Sequence, residues 1–262
     1  FHEALNPHMT SGAVGRYAFP KFGKKVAFLT ADYAYGHEMV RGFQRAGKEF
    51  GIEMLGDIRH PLATTDFSTL LPRIQAMKPD VLVITNFGRD QQICLKQATD
   101  FGLKKSIQLV APILLFTGRL AAGPQAFEGV IGGTSYYWGV EDKIASAKSF
   151  KERYAKMFGT GKLPSDYGAM GYSGVRTLLE AAKAAGSVEA DKVIAAMEAL
   201  KYDDYKGPQY YRKCDHQSVQ SVFLIQSKTK DQKNESDVFD VIATEEPNEA
   251  NLRTCAELGH KA

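Results

Sequence analysis

The chain is poor in the features that most often give a function away. Its 33 Lys and Arg are interleaved with 30 Asp and Glu, leaving a net charge of only +3 and no basic block. A mixed, solvated surface of this kind excludes a nucleic-acid-binding face as the working hypothesis. No stretch approaches the ~18 consecutive apolar residues that a membrane-spanning helix needs. The G-x-G-x-x-G, P-loop, H-E-x-x-H and G-x-S-x-G patterns are all missing, which removes the common dinucleotide, nucleotide, zinc-protease and serine-hydrolase readings and implies no cofactor. Six histidines are scattered at positions 2, 8, 37, 60, 216 and 260, without metal-ligand spacing, so they read as surface or capping groups. Asp203-Asp204 is a paired carboxylate in a tyrosine-rich loop before Gly207-Pro208, and reads as a solvated turn rather than an acid–base pair.

Cysteine is scarce too, with three in 262 residues. Cys94 shares a helical stripe with Ala98 and Phe101 and reads as a buried, inert thiol. Cys214 and Cys255 both lie in polar, loop-like sequence, and a disulfide between them would tie the C-terminal tail to the body in an oxidising compartment. Zinc is the weaker competitor, since there is no Cys-x-x-Cys and His216 is the one histidine nearby. The chain opens on Phe1 with no basic-then-apolar leader, so it is expected to be processed, trimmed or cut from something longer, and the missing leader says nothing against export.

What is present is an alternation of strands and helices. Val26 to Leu29 form a short apolar run, and after it Met39, Phe43, Ala46 and Phe50 share one helical face. Residues 52–58 alternate as a strand. Asp66 then caps a helix carrying Phe67, Leu70, Leu71, Ile74 and Met77, with Pro72 kinking it or shortening its first turn. Asp80 to Thr85 is a continuous apolar strand of the doubly covered, parallel kind. Residues 107–111 predict another, breaking at Pro112, and residues 130–135 a further one. From about residue 143 helices take over, with faces Ala147/Phe150/Tyr154/Met157, Tyr172/Val175/Leu179/Ala182 and Val193/Ile194/Met197/Leu200. Beyond Gly207-Pro208 come short strands, the clearest over residues 219–226 and a last one over 238–242. Such alternation predicts an α/β fold with a parallel, doubly wound sheet.

In open α/β sheets, ligands bind outside the carboxyl ends of the strands. Asp32, Tyr33 and Tyr35 fall there. So do Phe87, Phe116, Tyr136, Tyr137 and Trp138, whose aromatic rings recur where a wall is half wet.

Five segments in order resemble the type I periplasmic solute-binding proteins, the leucine/isoleucine/valine-binding family of ABC importers. They are Thr30-Ala31-Asp32-Tyr33-Ala34-Tyr35-Gly36, Asp66-Phe67-Ser68-Thr69-Leu70, Lys78-Pro79-Asp80-Val81-Leu82-Val83, Ala98-Thr99-Asp100-Phe101-Gly102-Leu103 and Gly207-Pro208. The resemblance runs from the start to about Gln226 and implies a two-lobed fold, a parallel doubly wound sheet in each lobe, that closes on a ligand by a hinge. On that mapping residues 22–161 are the second lobe, 164–216 part of the first, and 219–262 the crossover strand and tail. Residues near 1–7, 161–165 and 217–219 would be hinge strands. The strand–helix array that opens the first lobe in the family is missing, so the first lobe is incomplete, the helices of 164–216 should leave an apolar face uncovered, and a fragment is expected.

The resemblance also assigns residues. Tyr35 matches a ligand-facing tyrosine after a second-lobe strand, and Phe87 a second ligand-facing aromatic. Where amino-acid binders carry a carboxylate for the ligand ammonium, this chain has Ile113 after Ala111-Pro112, with Leu114, Leu115 and Phe116 beside it. A buried ammonium without a partner would cost several kcal/mol. The expected ligand is therefore a small carboxylate with an apolar or aromatic body, or an amino acid whose ammonium meets Asp32 or Glu141. The candidate ligand-binding set is Asp32, Tyr33, Tyr35, Phe87, Ile113, Leu114, Tyr136 and Trp138. The expected role is that of a monomeric, periplasmic, non-enzymatic solute carrier that docks on ABC permease subunits. A cytoplasmic ligand sensor of the same fold is the alternative, and an α/β enzyme a third reading that lacks an acid–base pair.

Overall fold

The computed structural model describes residues 1–260, which form two compact units. The larger unit comprises Pro7–Thr134 and Leu224–Ala243. It opens with helix α1 (Pro7–Phe22), a segment rich in small residues to which the sequence analysis assigns no element. Then follow β1 (Lys25–Ala31), α2 (Ala34–Lys48), β2 (Glu53–His60), α3 (Leu71–Met77), β3 (Val81–Ile84), α4 (Gly88–Asp100), β4 (Gln108–Ile113), α5 (Phe116–Ala122), α6 (Pro124–Phe127) and β5 (Ile131–Thr134). Strands β1 to β5 pair in parallel, as their buried Val, Ile and Leu runs require.

The alternation of side chains across the sheet builds the core. Val26, Phe28, Val81, Val83 and Val110 point to one face and meet Val14, Ala18 and Phe19 of α1 and Val40 and Phe43 of α2. The Phe19 and Phe28 rings stand edge-on to Phe43 at 6.1 and 6.3 Å. Each fully buried phenylalanine contributes about 2–3 kcal/mol by area. Cys94 is fully buried in α4 as expected, and burial pushes its thiol far up, so it is inert.

Two local expectations change. The proposed cap at Asp66 instead makes a tight turn, its Oδ1 accepting from the Ser68 amide at 2.8 Å, and α3 starts only at Leu71 with Pro72 in its first turn. Pro112 does not end its strand. β4 runs through it to Ile113, and the pairing with β5 shifts register between Ala111 and Ile113.

The smaller unit comprises Phe1–Asn6, Ser135–Phe223 and the tail from Thr244. It holds α7 (Ala145–Phe158), α8 (Asp166–Ala185), α9 (Ala190–Ala199) and the short strands β6 (Lys201–Tyr202), β7 (Gln209–Tyr211) and β8 (Ser218–Val219), which form an antiparallel sheet. The strand expected over residues 219–226 is split. β8 ends at Val219, and β9 (Val222–Ser227) joins β10 (Phe239–Glu245) in the seven-stranded sheet, ordered β10-β9-β5-β4-β3-β1-β2. The units therefore divide at Thr134/Ser135 rather than near residue 161. The reason is aromatic: Tyr136 packs edge-on against Phe150 of α7 and against Tyr205, at 5.7 and 5.5 Å, which holds α7 in the smaller unit.

Helix α8 turns a different face inward from the one its large residues suggest. Ala169, Ser173, Thr177 and Ala181 are buried, while Val175 and Leu179 are 60% and 64% exposed. The buried face is polar because it has partners: Ser173 donates to Asp204 at 2.9 Å, and Thr177 shares a hydrogen bond with the Tyr211 hydroxyl at 3.2 Å. Met157, expected to face inward on α7, is exposed as well. Cys214 and Cys255 form a disulfide, closing a loop of 41 residues worth roughly 4 kcal/mol on the chain-entropy model.

Candidate ligand-binding wall

The site begins where β1 stops. The Asp32 amide donates to the His60 carbonyl at 2.8 Å, ending the strand beside β2, and α2 starts two residues later. Gly36 makes that sharp entry possible. A Cβ there would lie 2.1 Å from the Ala31 carbonyl oxygen, so a larger residue would push the first turn of α2 off the strand end. The entry places three rings together. Tyr33 and Tyr35 stack at 5.7 Å with 29° between planes, and Tyr35 meets Phe87 edge-on at 5.6 Å and 60°. Partial burial and the charge of Asp90 push the Tyr33 hydroxyl up, so it stays protonated and able to donate. All three rings are half-buried, the wetting expected of a binding wall.

Several polar groups around these rings are engaged. The Asp32 carboxylate meets His37 Nε2 at 2.7 Å and Arg59 Nη1 at 3.7 Å. Asp90, buried in the first turn of α4, accepts from the Ala63 amide at 2.9 Å. His60 Nδ1 donates to the Pro61 carbonyl, and its Nε2 meets the Asn86 carboxamide, both at 2.8 Å. Gln91 Nε2 donates to the carbonyls of Asn86 (3.2 Å) and Ile113 (2.9 Å). Ile113 itself is half-buried, whereas Leu114 is fully buried and its amide donates to the Gly133 carbonyl at 2.8 Å.

Helices α2, α4 and α5 each begin at these strand ends behind Tyr33, Phe87 and Leu115, none of which gives a side-chain cap. The unsatisfied first-turn amides and the positive end of each helix favour an anion over a cation nearby. Among the described residues no cluster of three or more His, Cys, Asp or Glu side chains could hold a metal.

With this geometry in place, comparison with known proteins is decisive. The sequence profile of the periplasmic binding protein family matches residues 1–233. The chain belongs to the periplasmic binding protein family. A Leu/Ile/Val-binding protein homolog 6 from Brucella melitensis is 29% identical over 204 residues, covering 76% of this chain and 52% of the relative. A periplasmic binding protein from Burkholderia mallei shares the fold at a TM-score of 0.85 and 31% identity, over 97% of this chain and 66% of that one. A solute-binding protein of an ABC transporter from Rhodopseudomonas palustris, solved with 3,4-dihydroxybenzoic acid, superposes at a TM-score of 0.79 with 26% identity, over 94% and 66%. The chain thus spans about half the length of the curated relatives it matches and about two thirds of these solved chains. The family is periplasmic and binds its solutes without transforming them.

In this binding protein the structure gathers Tyr33, Tyr35, Phe87 and, through Gln91, Ile113 in the larger unit. Tyr136 and Trp138 belong to the smaller unit. There Tyr136 is fully buried, and Trp138 lies against Tyr137 and under the Lys151 ammonium, 4.8 Å from its ring centroid. Lys151 also pairs with Glu141, so that carboxylate, like Asp32, already holds a cation.

Two sequence readings are corrected here. His60 is a buried member of the strand-end network rather than a surface histidine. Asp204 is buried, accepting from Ser173 and paired with Arg176 at 3.1 Å, because α8 supplies both partners. His60, Asn86, Asp90 and Gln91 escaped the sequence analysis as site residues. The available signal was a polar cluster, Asn86 to Gln91, directly after the apolar run of β3.

Proposed function

We propose that this chain is part of the solute-binding component of an ABC importer and that its solute is a small organic carboxylate with an apolar or aromatic body. One observation carries the reading. The wall made by Tyr33, Tyr35, Phe87 and Ile113 presents rings and an aliphatic side chain, and Asp32, the carboxylate of that unit that could receive a ligand ammonium, already meets His37 and Arg59. An aromatic ring seated there would stack on Tyr35 and Phe87, while its carboxylate would be served by uncapped amides at the starts of α2 and α4. The dihydroxybenzoate-bound relative supports the same class, and the Leu/Ile/Val-binding homologue supports amino acids as the competing one. In this role the loaded protein delivers its solute to permease subunits.

Calorimetric titration of the full-length protein with 3,4-dihydroxybenzoate, benzoate and L-leucine tests this. Tight binding of an aromatic acid with leucine at least tenfold weaker is the expected result. Preference for leucine, or heat from none of the three, overturns it.

A further inference from the structure

The ladder joining β3 to β4 runs from Val81–Gln108 to Val83–Val110 and stops there. Two residues later Pro112 has no amide hydrogen to continue any ladder, and Ile113 takes its strand partner from β5 on the other side. The ends of β3 and β4, which carry Phe87 and Ile113, would therefore be free to splay. One buried side chain closes that gap. Gln91, 4% exposed in the first turn of α4, reaches back with Nε2 to the Asn86 carbonyl at 3.2 Å and across to the Ile113 carbonyl at 2.9 Å. Asn86 is in turn held by His60 at the end of β2, on the far side of β1. A chain of side chains thus does the work of the missing ladder across four strand ends.

We propose that Gln91 is a positioning residue: its carboxamide sets the spacing between Phe87 and Ile113, and through it the breadth of ligand body the wall accepts. The spacing role stands on the hydrogen bonds alone, while the ligand-breadth role rests on the reading of Phe87 and Ile113 as a binding wall.

Gln91→Met, which keeps the shape and removes the donors, is the test variant in the full-length protein. Gln97→Met is its control. Gln97 staples the same helix to a different loop, accepting from the Phe67 amide at 2.7 Å and donating to the Thr65 carbonyl at 3.0 Å. Amide hydrogen exchange of the ligand-free protein is read first. Gln91→Met is expected to speed exchange over residues 113–116 about tenfold, the loss of one well-made hydrogen bond, with β3 unchanged. Titration with 3,4-dihydroxybenzoate and L-leucine is read second, and the ratio of their affinities should shift about tenfold in Gln91→Met but not in Gln97→Met. Unchanged exchange over 113–116, or the same ratio change in both variants, overturns the proposal. If the wild-type protein binds neither compound, the functional reading falls, and the exchange result still decides whether Gln91 sets the spacing.

Discussion

The Tyr35 ring meets the Phe87 ring edge-on at 5.6 Å, joining the loop after β1 to the loop after β3. Each ring supports the other, and both keep an exposed face. Phe87→Ala should therefore cost little stability but weaken binding of 3,4-dihydroxybenzoate about tenfold or more, from lost stacking and a freer Tyr35. Titration calorimetry beside a thermal melt separates the two effects. A large drop in melting temperature with unchanged affinity would mean that Phe87 is core rather than wall.

Ile113 carries the argument about ligand class. Ile113→Glu places a carboxylate on the wall while leaving the Ile113 carbonyl, the acceptor for Gln91, in place. The expected outcome is a switch: L-leucine gains affinity through its ammonium, and 3,4-dihydroxybenzoate loses at least about tenfold through repulsion of its carboxylate. Competition between the two ligands by isothermal titration reads both changes. Improved binding of the acid by the glutamate variant would remove Ile113 from the site.

The smaller unit is held by a half-buried carboxylate. Glu3 accepts from Tyr202 at 2.6 Å, Tyr211 at 3.0 Å, Tyr205 at 3.3 Å and Gln209 at 3.0 Å. Burial, and secondarily the charge of Glu3, push the Tyr211 hydroxyl up to about 12, so these groups remain donors at neutral pH. Glu3→Ala would remove the acceptor that these four buried donors share and should destabilise the fold by about 2–4 kcal/mol in urea denaturation. Glu3→Gln, which keeps one acceptor, should cost less than half of that. Equal losses for the two variants would show that packing, and not the hydrogen bonds, is responsible.

Asp166, fully buried at the start of α8, gives a pH dependence. Burial raises its carboxyl from 3.8 to about 6, against the pull of nearby backbone amides. A carboxyl whose folded-state value lies above its unfolded value binds its proton more tightly in the folded state. Its stabilising effect is complete below pH 4 and is lost as the pH climbs to about 6, a cost on the order of 3 kcal/mol at neutral pH. Asp166→Asn, always neutral, should melt close to wild type at pH 4 and several degrees above it at pH 7. A gap that stays constant across that range would contradict this account.

Much of the molecule was legible from local pattern. The strand runs at 26–29 and 81–84, the amphipathic face of α2 and the buried Cys94 all follow from side-chain periodicity, which a short window contains. The loop around Tyr35 was legible for the same reason: a strand end followed by a helix start is a local event. Where large side chains were the guide, pattern failed. On α8 the small and polar face is buried because Asp204 and Tyr211, far along the chain, supply its partners.

The sequence by itself therefore determined which segments are strands and helices, that rings gather at strand ends, and that Cys214 and Cys255 suit one another. Only the tertiary structure decided which strand ends are neighbours. The order β4-β3-β1-β2 brings His60, Asn86, Gln91 and Ile113 into one hydrogen-bonded line across 54 positions of sequence, from 60 to 113. No periodicity encodes that line, because hydrogen bonds between strand ends depend on how crossovers order the sheet, and burial enforces them only once the sheet has formed.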